Sequence, residues 1–333
     1  MPVLPVLPAL PADLTARPLR EDDLPDVAAL LAAAEPVDDT GEHVDETDLR
    51  EWWAGWGVDP ARDGLAVGDA GGRLVAFGFV LTPPSYRGEA RVSAEGAVHP
   101  GRRGEGIGRA LLEWQLARGR ELHRERHPEA PGRLTVSVPG GMPDLERLVA
   151  AAGLTAERWY RAMQRPLVEL PPAAPVAGVD LVPWRPDRDD EVRRAHNTAF
   201  AEHHGSAERD PETWSRLYTG QRAFRPDLSV LALVDGAVAG YALGYVYEAQ
   251  SRATGFDEVH LGQIGVLPEG RGRGVASAAV AAVLQAAADA GCRSASLEVD
   301  SDNVTGALRL YEHLGFATVR TQVTWSTALP AAT

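Results

Sequence analysis

The feature that most constrains this chain is a turn of alternating glycine and arginine between two apolar runs. Residues 259–266 have the length and composition of a buried strand, and residues 275–290 have those of a helix ended by Gly291. Glycines let an anion approach the backbone, and a helix start presents unpaired N–H groups. The turn therefore predicts a phosphate or pyrophosphate site, although glycine-rich turns can also be plain connections.

The same arrangement occurs a second time, 168 residues earlier (271 − 103). Arg103-x-x-Gly106-x-Gly108 follows Val98-x-Pro100, just as Arg271-x-x-Gly274-x-Ala276 follows Val266-x-Pro268. Several matches at one offset indicate two copies of one fold, and the long period indicates duplicated domains rather than a solenoid. The same offset relates further residues: Arg17 to Arg185, Pro18 to Pro186 and Asp22 to Asp190.

The chain of 333 residues also exceeds what one core usually serves. We predict a first domain at 1–168, a linker at 169–178 rich in proline and alanine, and a second domain at 179–333. Each half is expected to be α/β, a mixed and mostly antiparallel β-sheet flanked by α-helices. The C-terminal run 317–326 should complete the sheet of the second half.

Composition limits the possible partners. The formal net charge of −14 argues against nucleic acid as a partner. No apolar stretch is long enough to span a membrane, the N-terminus lacks a basic leader, and Cys292 is the single cysteine. We therefore expect a cytoplasmic protein with no membrane partner and no metal. Local positive charge for a small anion could come from these residues: Arg102, Arg103, Arg109, Arg271 and Arg273.

The turn matches neither the nucleoside-triphosphatase loop nor the dinucleotide fingerprint. Its motif, with the strand-like run 294–299 and the later Asn303-x-x-x-Ala307-x-x-x-Tyr311-Glu-x-x-Gly315-Phe316, resembles the GNAT superfamily of acetyltransferases. The resemblance covers both halves as a tandem pair, with the fuller motif set in the second. It implies two tandem GNAT-like domains, acetyl-CoA as the acyl donor, and direct acetyl transfer to an amine.

The resemblance also implies which residues hold coenzyme A. Those of the second half are Ile264, Val266, Arg271, Gly272, Arg273, Gly274, Val275, Ala276 and Asn303. Those of the first half are Val98, Arg103, Gly104, Gly106, Ile107 and Gly108. The strand 264–266 would pair with the pantetheine arm, and the turn would hold the pyrophosphate.

Catalytic groups are expected in the second half. The resemblance makes Tyr311, four residues before Gly315, the acid that protonates the departing thiolate, and makes His260, eleven residues before Arg271, the base. Glu258 lies on the same strand face and is the second candidate base. Instead of these catalytic roles, Tyr311 could be a core tyrosine with its hydroxyl bonded to the backbone, and His260 could be a histidine hydrogen-bonded within the sheet. In the first half, the residue four positions before Gly153 is Val149, and the residue eleven positions before Arg103 is Val92. Neither can transfer a proton.

We thus predict that the second half acetylates the primary amine of a small molecule and that the first half is catalytically degenerate. A protein amine remains an alternative acceptor. As an alternative identity, the chain could be the member of the family that is known to have this tandem arrangement. A non-catalytic acyl-coenzyme A sensor is the alternative from another class. The chain could be a monomer or a homodimer.

Overall fold

The computed structural model of this chain describes residues 10–170, 175–201, 207–301 and 306–331. Its contacts divide the chain into two compact units. Unit 1 comprises Met1–Arg158 and Gln322–Thr333, and unit 2 comprises Trp159–Thr321. Within these described ranges, no helix is both long and apolar enough to cross a membrane.

The first half runs strand, three helices, three strands, helix, strand, helix and strand. Its strands are β1 (Leu14–Pro18), β2 (Gly64–Asp69), β3 (Leu74–Leu81), β4 (Ala90–Val98), β5 (Gly132–Pro139) and β6 (Thr155–Pro166). Its helices are α1 (Leu24–Asp38), α2 (Glu46–Trp56), α3 (Pro60–Asp63), α4 (Ile107–Arg126) and α5 (Pro143–Ala151).

The second half has a similar order, with two helices before its second strand and an additional helix between its third and fourth strands. Its strands are β7 (Asp180–Pro183), β8 (Phe224–Val234), β9 (Ala237–Tyr245), β10 (Glu258–Val266), β11 (Ser294–Asp300) and β12 (Ala317–Leu329). Its helices are α6 (Asp189–Ala199), α7 (Pro211–Trp214), α8 (Glu248–Thr254), α9 (Val275–Asp289) and α10 (Ala307–His313). A π-helical turn, Ser215–Thr219, continues α7.

Each unit contains the predicted mixed sheet. In unit 1 the strand order is β1-β2-β3-β4-β5-β12, and in unit 2 it is β7-β8-β9-β10-β11-β6. All these neighbours pair antiparallel except β4 with β5 and β10 with β11, which are parallel. The predicted fold class is confirmed.

The strand that completes each sheet comes from the other half of the chain. Residues 160–166 of β6 pair with β11, and residues 322–329 of β12 pair with β5. The run 317–326 was expected to complete the sheet of the second half, but from residue 322 it completes that of unit 1. The units accordingly change at residues 158 and 159 rather than at the predicted linker. Alternating side chains fit a strand into either sheet, so the local pattern does not select its partner.

Helices cover both faces of the unit 2 sheet. Tyr241, Leu243 and Tyr245 of β9 pack in a cluster with residues of α6 and α7. Ala242, between two of them, packs in the cluster formed with α9. Because successive strand residues face opposite sides, α9 lies on one face and α6 and α7 on the other. The same alternation places His260 on the α6 face, opposite Tyr245.

Candidate active site

The turn of unit 2 presents backbone N–H groups at the start of α9. Gly272 and Gly274 have φ angles of +73° and +83°, which strain any residue with a side chain. Gly274 is the N-cap of α9, and no side chain of the described residues caps that helix. The N–H groups of Val275 and Ala276 lie in the first helical turn. This geometry fits the predicted anion site.

The two arginines of this turn bond only to backbone carbonyls among the described residues. Arg271 donates to the carbonyl of Ala199 and Arg273 donates to that of Ala177, each at 3.3 Å. Both side chains belong to exposed residues, and neither forms an ion pair within the part of the chain that the structure describes. The turn therefore offers an anion two guanidinium groups as well as backbone donors.

Strands β10 and β11 separate just before the turn. They pair only over Glu258–His260, with His260 opposite Ser296. A bulge between Leu261 and Gln263 follows, and residues 263–266 then pair with β9 alone among the described strands. The predicted pantetheine strand, which includes Ile264 and Val266, thus has a free backbone edge toward the opening.

His260 lies at the last paired position before this opening and is half-buried. Its Nδ1 is 3.2 Å from the Ser296 hydroxyl oxygen, and the Tyr247 ring centroid lies 6.1 Å from its own. Burial lowers the pKa of the imidazole, and the nearby Glu258 charge opposes that change. A neutral imidazole held through Nδ1 leaves Nε2 able to accept a proton.

Glu258 is engaged within the sheet. Its carboxylate accepts hydrogen bonds from the Ser294 hydroxyl, at 2.6 Å, and from the Gln164 side-chain amide. These two donors fix the carboxylate beside the strands. Of the two candidate bases, His260 is therefore the less constrained.

Tyr311 lies on α10 with its ring buried in the α9-side core and edge-on to Phe316 at 6.1 Å. Burial raises the pKa of its phenol to about 12. Among the described residues, no hydrogen bond reaches its hydroxyl, so the alternative of a hydroxyl bonded to the backbone gains no support. His260 and Tyr311 belong to opposite faces of the unit 2 sheet. Asn303 lies outside the described residues.

The turn of unit 1 has the same backbone and different charge partners. Gly104 and Gly106 have φ angles of +81° and +87°, and α4 likewise begins without a side-chain cap from the described residues. Arg103 is paired with Asp38 at 2.6 Å. Arg102 is paired with Glu105 and Asp13 at 2.8 and 2.9 Å. The other predicted holders in this half pack locally: Ile107 is buried, and a Cβ at Gly108 would contact Leu148 and Val98.

Unit 1 lacks the two predicted proton-transfer groups, because Val92 and Val149 stand at their positions and both are fully buried. The structure nevertheless reveals Glu95, on β4 just beyond its pairing with β5. Burial raises the pKa of this carboxyl to about 7, and the charge of Glu42 adds to the effect. Sequence reasoning missed Glu95 because it lies eight residues before Arg103 rather than eleven.

Other groups in the described part of the chain offer less. A cavity of about 300 Å³ beside the unit 2 turn is lined by residues such as Glu191, Arg194 and Leu267, and includes neither His260 nor Tyr311. Burial raises the pKa of the Cys292 thiol, which disfavours the nucleophilic thiolate. No group of three or more possible metal ligands occurs among the described residues.

Comparison with known proteins agrees with this geometry. Residues 190–316 match the model of the acetyltransferase (GNAT) family. A mycothiol acetyltransferase from Streptomyces griseus is 36% identical over 68% of this chain and 68% of its own. Another from Frankia alni is 32% identical over 93% of each chain.

Solved structures are similar across nearly the whole chain. A GCN5-related N-acetyltransferase from Sphaerobacter thermophilus has a TM-score of 0.76 and 24% identity, covering 96% of this chain and 97% of its own. A tandem GNAT protein from the clavulanic acid biosynthesis pathway has a TM-score of 0.66 and 22% identity, covering 95% and 99%. Both likenesses concern the fold. The predicted resemblance is confirmed, and this chain belongs to the acetyltransferase (GNAT) family.

Proposed function

We propose that unit 2 transfers an acetyl group from acetyl-CoA to the primary amine of a small molecule, and that this molecule is the unacetylated precursor of mycothiol. The observation that carries the proposal is the opening between β10 and β11, which leads from His260 to the uncapped start of α9. The names of the relatives support the choice of acceptor. The proposed compartment is the cytoplasm, on the sequence grounds given above.

The residues of the turn and the free strand edge would hold the donor. Backbone N–H groups from Arg271 to Ala276 would bind its pyrophosphate, with the two exposed guanidinium groups nearby. The free edge of residues 264–266 would bond to the amide groups of its pantetheine arm. When bound, acetyl-CoA supplies the activated acyl group as a thioester.

His260 would accept the proton that the acceptor amine must lose. Because burial lowers the pKa of His260, its imidazole stays neutral at pH values somewhat below 6.5, the ordinary pKa of histidine. Its base form is then lost only as the pH falls through that lowered value. Transfer would be direct, with no covalent enzyme intermediate.

Tyr311 would donate to the departing thiolate. A phenol with a pKa of about 12 is about three pKa units weaker as an acid than a thiol, so a complete proton transfer before the C–S bond breaks is unfavourable. We infer instead that the Tyr311 hydroxyl hydrogen-bonds to the sulfur as its negative charge develops.

The test is acetylation of the mycothiol precursor, with coenzyme A and the product quantified by chromatography across pH. We expect product, and a low-pH limb of kcat/KM centred below about pH 6.5. His260→Ala should lower the rate and abolish that limb. His313→Ala, which removes an exposed histidine of α10, should leave it in place.

Two outcomes would contradict different parts of the proposal. Product from other small amines but not from the precursor would remove the proposed acceptor and keep the reaction. A low-pH limb that survives in His260→Ala would exclude this histidine as the base and move attention to Glu258.

A further inference from the structure

Tyr245, the last residue of β9, has a buried hydroxyl with no hydrogen-bond partner among the described residues. The residue as a whole is only 2% exposed. A buried polar group without a partner lowers the stability of the fold. Such a group therefore points to a role beyond packing.

The position of Tyr245 is next to the candidate base. Tyr245 stands directly opposite His260 in the antiparallel pairing of β9 and β10. Its ring lies against Gly262 of the bulge, where a Cβ would come within 2.7 Å of Tyr245 Cε2 and 3.6 Å of His260 Cδ2. Glycine at 262 thus allows the phenol and the imidazole to lie side by side.

The surroundings of Tyr245 combine aromatic rings with one negative charge. Its ring is stacked with that of Tyr247 at 6.4 Å. Burial raises the pKa of Tyr245 well above its usual range, and electrostatic interactions with Tyr247, Tyr218 and Asp189 add to the effect. The phenol therefore stays neutral and can both donate and accept a hydrogen bond.

Asp189 lacks a cationic partner among the described residues. Its carboxylate accepts hydrogen bonds from the Trp214 indole at 2.9 Å and the Thr219 hydroxyl at 3.0 Å. These neutral donors orient the carboxylate and leave its charge uncompensated. A carboxylate beside tyrosine rings is a favourable setting for an ammonium group.

Tyr241 shows that a buried hydroxyl on this face can be satisfied. It lies four residues before Tyr245 on the same face of β9, and its hydroxyl is 2.8 Å from His196 Nδ1. Of these two tyrosines on one face of β9, only Tyr245, beside the candidate base, has a hydroxyl without a partner among the described residues.

We propose that the Tyr245 hydroxyl binds the amine acceptor beside His260. This inference rests on the proposed function of unit 2 and adds an acceptor-binding residue to it. Tyr245 positions the acceptor; His260 remains the group that takes its proton.

The experiment compares Tyr245→Phe with Tyr241→Phe, two variants that each remove one phenol oxygen from the same cluster. The KM values for the mycothiol precursor and for acetyl-CoA are measured together with the melting temperature. For Tyr245→Phe we expect the acceptor KM to rise about tenfold, as for loss of one hydrogen bond to a charged group, with the acetyl-CoA KM and the melting temperature not impaired. For Tyr241→Phe we expect a lower melting temperature and an unchanged acceptor KM.

The outcomes separate this inference from the proposed function. Wild-type turnover with an unchanged acceptor KM in Tyr245→Phe would overturn the inference and leave the function standing. A lower melting temperature for Tyr245→Phe with no change in acceptor KM would assign the hydroxyl a purely structural role, which also overturns it. Absence of wild-type turnover with any primary amine would overturn the function and this inference together.

Discussion

The two glycine-rich turns share a backbone and differ in the charges around it. Helices α4 and α9 both begin after a left-handed glycine, with φ of +87° at Gly106 and +83° at Gly274. In unit 1, Arg103 is paired with Asp38 at 2.6 Å. In unit 2, the arginines of the turn bond only to backbone carbonyls among the described residues. An anion in unit 1 must therefore compete with the chain's own carboxylates.

The comparison extends to the groups proposed to act on the reacting amine and thiolate. Unit 2 has His260 at the opening of its sheet and Tyr311 on α10, whereas unit 1 has buried valines at the equivalent positions. Glu95 is the one half-buried carboxyl at the opening in the described part of unit 1. The difference indicates that duplication preserved the turn while ligand affinity and catalysis could change separately through side chains.

The largest expected effect concerns the proposed hydrogen bond from Tyr311 to the departing thiolate. Tyr311→Phe should lower kcat by about 10²-fold, the range for loss of one preorganised donor to a developing negative charge, with the KM for acetyl-CoA close to wild type. Tyr86→Phe in unit 1, which removes a phenol bonded to Glu129, is the control and should leave kcat unchanged. Steady-state kinetics decides the matter, and equal kcat values for both variants would remove Tyr311 from the mechanism.

A smaller effect should separate the two turns. Gly274→Val and Gly106→Val place a side chain at nearly the same positive φ, so the backbone strain should destabilise each variant by about 1–2 kcal/mol. A Cβ at either position would meet no atom closer than 3.7 Å. In calorimetric titration with acetyl-CoA, Gly274→Val should weaken the tighter site at least about tenfold, because the side chain blocks approach to the backbone. Gly106→Val should leave that site intact. Equal losses in both variants would contradict the distinction between the turns.

The smallest effect tests the cause of that distinction. Asp38→Asn frees Arg103 of its ion pair and should raise the affinity of the unit 1 turn for coenzyme A up to about fivefold, the range of a partly exposed ion pair of up to about 1 kcal/mol. Asp38→Glu keeps the charge and is the control. Titration of both in the Gly274→Val background isolates unit 1. Identical affinities for the two variants would show that charge pairing does not limit this turn.

Local sequence determined a good part of this protein. The left-handed glycines, the strand before each turn and the helix after it follow from residues close together in the chain, because backbone freedom, burial pattern and helix starts are short-range properties. The facing of His260 and Glu258 follows from strand alternation. The roles of Tyr311 and His260 came from family spacing and stay predictions.

Contacts between distant residues decided the rest. Asp38 meets Arg103 across 65 positions, and residues 322–329 pair with β5 although they follow the second half. The orphan hydroxyl of Tyr245 and the half-buried position of Glu95 depend on which side chains surround them, and no local pattern specifies those neighbours. Only the packing of the whole chain decides which strands pair, which charges form ion pairs and which buried groups stay without a hydrogen bond. Each of these depends on segments that are far apart in the sequence.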